Sequence, residues 1–235
     1  MSQTKDLEMM KSVATVIPSV PGNPDKTRVV DAFLQRVDPV RARLVFAIDA
    51  TASRQPTWDM ASALTSQMFA AVANDRLEIQ LLYFRGDSES VASRWMTDAR
   101  SLTNAMSAVT CKSGLTQIGR ALGHVNTEDQ RRKVNACVVI SDSCEETSAE
   151  LYIAARELNN VPVFMFQEGK DQAVAGIYRT IANITGGAYS RFDAGAAARL
   201  AELLKAVVVF AVGGREALAS QNGEAARLLL TQIRK

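Results

Sequence analysis

Residues 44–48, Leu-Val-Phe-Ala-Ile, are apolar at every position, and the run stops on a carboxylate, Asp49. A segment that is apolar on both faces reads as a strand buried in the middle of a parallel sheet. Two hydroxyls follow at alternate positions, Thr51 and Ser53, and a helical pattern starts near Thr57. A strand that ends in oxygen-bearing side chains and turns into a helix delivers those oxygens to the carboxyl edge of the sheet. Open α/β folds place their ligands at that edge. Such oxygens suit a hard divalent cation: Mg2+ takes near-octahedral oxygen coordination at about 2.0–2.1 Å and keeps several waters. One carboxylate and two hydroxyls make only part of a shell, so later strand ends should carry the rest.

The remaining chain alternates between the two periodicities. Strands are expected at 77–84, 90–95, 134–140, 161–166 and 188–192, and helices at 57–73, 97–109, 117–125, 147–158, 172–184 and 195–211. The tripeptide Arg85-Gly86-Asp87 reads as the turn of a hairpin that brings 90–95 back as an edge strand. The expected fold class is therefore α/β: a doubly wound, mostly parallel six-stranded sheet with one antiparallel edge strand and helices on both faces.

Three regions follow from the pattern. Residues 1–25, with Pro18, Pro21, Gly22 and Pro24, read as an extended arm. Residues 26–212 form the domain, beginning with a helix at 26–37 that Pro39 closes. Residues 213–235 form a helical tail in which Leu228, Leu229 and Ile233 need a surface to cover.

Composition bounds the function classes. A net charge of +2 over 235 residues gives no bulk attraction to nucleic acid or to an anionic membrane. The longest apolar run, Ala206–Val212, is far short of the ~20 residues that cross a bilayer. Residues 1–20 have no continuous apolar core, so no export signal is expected. Three cysteines, Cys111, Cys137 and Cys144, form no disulfide framework, and the expected location is the cytoplasm. With one histidine, His124, and no nucleophile motif around it, a Ser-His-Asp triad has no support.

Two later loops carry the missing oxygens. Thr116 follows Ser113-Gly114-Leu115 and leads into a helix, and the strand at 134–140 ends in Ser141-Asp142. Taken singly, Asp49, Thr51, Ser53, Thr116 or Asp142 serves equally well as a helix cap. Taken as a set, they point to a metal. Here the sequence resembles the von Willebrand factor type A (VWA) family, whose metal-ion-dependent adhesion site has an Asp-x-Ser/Thr-x-Ser motif after the first strand. That family adds a Thr from a loop near mid-domain and an Asp after the fourth strand. Asp49-Ala50-Thr51-Ala52-Ser53, Gly114-Leu115-Thr116 and Val138-Val139-Ile140-Ser141-Asp142 match these in order, and the resemblance covers about residues 41–210. Thr51 stands where Ser is commoner, and Ser143 follows Asp142 where Gly is frequent.

The resemblance implies a Rossmann-like VWA fold. It also implies that Thr51, Ser53 and Thr116 are ligands of Mg2+, with Mn2+ or Ca2+ as substitutes, while Asp49 and Asp142 bind the metal or hold its waters. The open position would take an acidic side chain from a protein partner. Arg54, just past the first loop, and Glu145, just past Asp142, are the expected partner-facing residues. Intracellular members of the family act as adaptors, often beside ATPases or kinase-like proteins, so the expected function is a non-enzymatic interaction module. The alternative is a Mg2+-dependent phosphotransferase or phosphatase of similar architecture. Thr51 stands where the haloacid-dehalogenase family needs a second Asp, which disfavours Asp49 as a nucleophile.

Overall fold

A computed structural model of the chain describes residues 41–72, 76–193 and 196–234. The arm expected at 1–25 and the helix expected at 26–37 lie outside the described residues. Six strands form one sheet: β1 (Ala42–Asp49), β2 (Leu77–Arg85), β3 (Glu89–Met96), β4 (Ala136–Ser141), β5 (Val163–Glu168) and β6 (Ala188–Phe192), in the order β3-β2-β1-β4-β5-β6. Every pairing is parallel except β2 with β3, which closes as the expected edge hairpin.

Alternation along β1 divides the core into two layers. Leu44, Phe46 and Ile48 point to one face of the sheet and Val45 and Ala47 to the other. On the first face lie α1 (Gln55–Ala63), α2 (Thr65–Ala70), α3 (Ala99–Ser107), α7 (Ala197–Ala219) and α8 (Glu224–Leu230). On the second lie α4 (Ile118–Arg131), α5 (Ser148–Glu157) and α6 (Gln172–Thr185). Because both faces are covered, all eight residues of β1 are buried.

Several boundaries differ from the sequence reading for local reasons. The helix expected at 57–73 is a 3-10 turn (Ala52–Arg54) followed by α1 and α2, separated at Leu64, whose N–H bonds to the carbonyls of Met60 and Ala61. The strand β5 runs on through Gln167 to Glu168, two polar residues beyond the apolar run that suggested it. α4 extends to Arg131, so the basic run 131–133 begins inside the helix. Gly214, at φ 66° and ψ −162°, interrupts α7, a conformation that a residue with a Cβ rarely adopts.

The tail folds back on the domain. Leu229 and Ile233 are buried in the first-face core, while Leu228 is half-buried. The Gln232 side-chain amide accepts from the Tyr189 N–H at 3.0 Å and donates to the Tyr189 carbonyl at 3.0 Å, on the outer edge of β6. Among the described residues no helix is long and apolar enough to cross a membrane.

Candidate functional site

The sheet order reverses between β1 and β4: from β1 the chain goes first to β2 on one side and later to β4 on the other. Such a switch point opens a crevice at the carboxyl ends of the two strands. Asp49 ends β1 and Asp142 follows the last residue of β4, so the two carboxylates flank this crevice.

Asp49 is 2% exposed, and both of its oxygens are engaged. Oδ1 accepts from the Thr51 N–H at 2.8 Å, and Oδ2 accepts from the Ser141 hydroxyl at 2.7 Å. Burial raises its pKa, and these hydrogen bonds only partly offset that. A carboxylate so enclosed is withheld from nucleophilic attack on a substrate, which counts against the phosphotransferase reading. Thr51 is buried beside it, while Ser53 faces solvent on the 3-10 turn.

Thr116 reaches the same edge from the loop before α4, and that loop is held by a close approach. A Cβ on Gly114 would lie 2.2 Å from the Gly86 carbonyl oxygen, so only glycine lets the loop lie against the β2–β3 turn. The Leu115 N–H bonds to that carbonyl at 3.2 Å, and the Leu115 side chain is 54% exposed at the rim.

Of the two glutamates after Asp142, Glu145 is exposed at the rim and Glu146 is half-buried, and both carboxylates reach back to the Thr116 loop and the start of α4. Glu145 Oε2 accepts from both the N–H and the hydroxyl of Thr116, each at 2.8 Å. Burial works to raise the Glu145 pKa, but these bonds outweigh it and hold the carboxyl below its ordinary value. Glu146 accepts from the N–H groups of Ile118 and Gly119, at 2.6 and 2.8 Å, and so supplies acceptors to the open first turn of α4. Burial raises the Glu146 pKa. Cys144, between these loops, has its thiol pushed up to about 11 by burial, which leaves little reactive thiolate at neutral pH.

Arg54 does not project outward from the first loop. Its Nη2 lies 2.9 Å from Asp142 Oδ2 and its Nη1 lies 2.5 Å from Glu168 Oε2. Glu168 also accepts from the Thr57 hydroxyl. Sequence reasoning missed Glu168 because β5 was expected to stop with its apolar run. The signal was present: Gln167-Glu168-Gly169 ends a buried strand beside β4, just as Ser141-Asp142 ends β4.

One carboxylate oxygen at this edge is left free to take a cation. Asp142 Oδ1 is buried and has no hydrogen-bond partner among the described residues. A buried carboxylate oxygen left without a donor costs free energy, and a cation relieves it. Among the described residues no group of three or more His, Cys, Asp or Glu side chains is arranged to hold a metal, so a cation here would depend on hydroxyl and water oxygens as well as carboxylates. Oxygens of these kinds are the donors that Mg2+ takes, and Asp142 Oδ1 is the carboxylate oxygen of this set left unpartnered among the described residues.

No protein-family model and no curated protein sequence matches the chain. Solved structures do match. An aerotolerance-related membrane protein from Bacteroides fragilis superposes with a TM-score of 0.55 at 17% identity, covering 71% of this chain and 98% of its own. The SpRpn10 VWA domain gives 0.56 at 13% identity, over 69% of this chain and 95% of its own. VWA2, an ArnB paralog from Sulfolobus acidocaldarius, gives 0.52 at 16% identity over 72% of this chain, which spans only 46% of that protein. The fold of the described residues is that of a von Willebrand factor type A domain.

Proposed function

We propose that the protein is a non-enzymatic interaction module that coordinates an acidic side chain of a protein partner through a divalent cation, Mg2+ by preference. Asp49, Thr51, Ser53, Thr116 and Asp142 would hold the cation or its waters. The observation that carries this reading is the buried, unpartnered Oδ1 of Asp142 at the sheet's switch point. The cation would supply an electrophilic position open to an external carboxylate, and the exposed Leu115 offers an apolar contact beside it. Supporting the reading, three separate loops deliver hard oxygens to one edge, and the fold is shared with VWA domains.

Thermal unfolding of metal-stripped protein tests it. A cation bound only by the folded state stabilises by about 2.7 kcal/mol at a hundred times its Kd. For a domain of this size that is roughly a 5–10 °C rise. Wild type should show the rise, and Asp142→Ala and Thr116→Ala should lose it. A wild-type protein whose melting temperature stays fixed at millimolar Mg2+, Mn2+ and Ca2+ would overturn the metal mechanism.

A further inference from the structure

We infer that Arg54 is a tethered cation that competes with the divalent metal for Asp142, so that metal binding is coupled to departure of the guanidinium from that carboxylate. The inference rests on the metal site proposed above and concerns what regulates it.

One side chain joins three parts of the site. Arg54 follows Ser53 directly, and its Nε donates to the Ser53 hydroxyl at 3.3 Å. Its Nη2 is 2.9 Å from Asp142 Oδ2, and its Nη1 is 2.5 Å from Glu168 Oε2. The Arg54 side chain is 12% exposed and that of Asp142 28%, so this is a partly buried clasp, more enclosed on the arginine's side. Glu168, with an 8% exposed side chain, is fixed in turn by the Thr57 hydroxyl, and this gives the guanidinium a second anchor that does not involve a proposed metal ligand.

The charges decide the consequence. Asp142 offers Oδ1 to a metal while Oδ2 holds a full positive charge. A dication on Oδ1 would then lie within a few ångströms of the guanidinium, on the same carboxylate. Like charges at that separation repel by far more than RT in a protein environment. The metal therefore binds weakly while Arg54 holds Asp142, and tightly once Arg54 retreats to Glu168 alone or outward to an acid on a partner. By linkage, a partner that draws Arg54 away raises metal affinity, and the metal raises affinity for that partner by the same factor.

Calorimetric titration of metal-stripped protein with Mg2+ and Mn2+ separates the possibilities. Arg54→Gln should bind at least tenfold more tightly than wild type, whereas Arg54→Lys, which keeps the charge but loses the fork to two carboxylates, should bind less tightly than Arg54→Gln. If wild type binds metal and Arg54→Gln binds no more tightly, the clasp is not a competitor, while the metal site stands. If neither protein binds, the metal site itself is wrong and the inference falls with it. A measurement on the wild-type protein covers the case in which Arg54→Gln does not fold. Labelling with phenylglyoxal, read by peptide mass spectrometry, should modify Arg54 several-fold faster at saturating Mg2+ than without metal, and an unchanged rate would overturn the coupling.

Discussion

Arg43 gives the sharpest test of the packing at the end of the sheet opposite the site. Its side chain is 5% exposed, and its Nη2 lies 2.6 Å from Oε2 of Glu128, whose side chain is 7% exposed. Its Nη1 donates to the carbonyls of Glu128 and Arg132 at the C-terminal end of α4, where a positive charge is favoured by the helix dipole. The guanidinium also stacks 3.8 Å above the Trp95 ring, whose indole N–H donates to Glu128 at 2.9 Å. Replacing Arg43 with Ala leaves a buried carboxylate with only the indole and the exposed Arg131 for partners. Breaking a buried pair from one side costs about 3–5 kcal/mol, and the bonds that remain put this case near the lower figure. For a domain of this size a loss of about 3 kcal/mol lowers Tm by roughly 6–12 °C. Urea unfolding followed by circular dichroism at pH 7 would measure it, with Arg43→Met/Glu128→Leu expected to recover part of the loss. The pH dependence has a definite sign. Burial works to raise the Glu128 pKa, but Trp95 and Arg43 hold it below its ordinary value. Its stabilisation is then present above the unfolded carboxyl's pKa, about 4.3, and is lost as pH falls through the lower folded value. The gap between wild type and Arg43→Ala should shrink accordingly in acid. A cost under about 1 kcal/mol at pH 7 would refute the assignment of this pair as a buried, mutually dependent unit.

Three further outcomes follow from the geometry. Asp49→Asn keeps acceptor and donor atoms for Thr51 and Ser141 but removes a buried charge, so metal-free stability in urea should be unchanged or higher by about 1 kcal/mol, while any metal-induced rise in Tm should vanish. Gly114→Ala forces a Cβ against the Gly86 backbone and should cost about 1–3 kcal/mol together with affinity at Thr116, whereas Gly123→Ala on open α4 surface should stabilise by about 0.5–1 kcal/mol in the same urea assay. Leu229→Ala removes a fully buried side chain of α8, and denaturant unfolding should show a loss of about 2–5 kcal/mol if the tail is part of the domain's core.

The strands were legible because burial on both faces writes itself as unbroken apolar runs, as in Leu44–Ile48 and Val138–Ile140. The edge hairpin was legible from the Gly86 turn. Asp49 and Asp142 were found by the same logic, as carboxylates that end such runs. Glu168 was not, because Gln167 and Glu168 are polar residues inside a strand whose burial comes from its neighbours on both sides and not from its own composition. The direction of Arg54 was equally out of reach. A chain position just past a loop does not say whether a long side chain leans out to solvent or back between two strand ends, and only the placement of Glu168 and Thr57 decides it. Glu145 was expected to face a partner, yet its carboxylate holds Thr116, and that of Glu146 serves the start of α4, pairings between loops nearly thirty residues apart.

The amide of Gln232 acts as a one-residue substitute for a seventh strand. A parallel sheet that ends on a short apolar strand offers its last N–H and C=O groups to any extended peptide, including the edge of another copy. At Tyr189 both groups are already taken, in the pattern a neighbouring strand would use. The turn after α8 thus occupies the middle of that free edge. A variant lacking that amide, such as Gln232→Leu, should lose little of the core yet gain a tendency to self-associate through β6, visible as concentration-dependent light scattering.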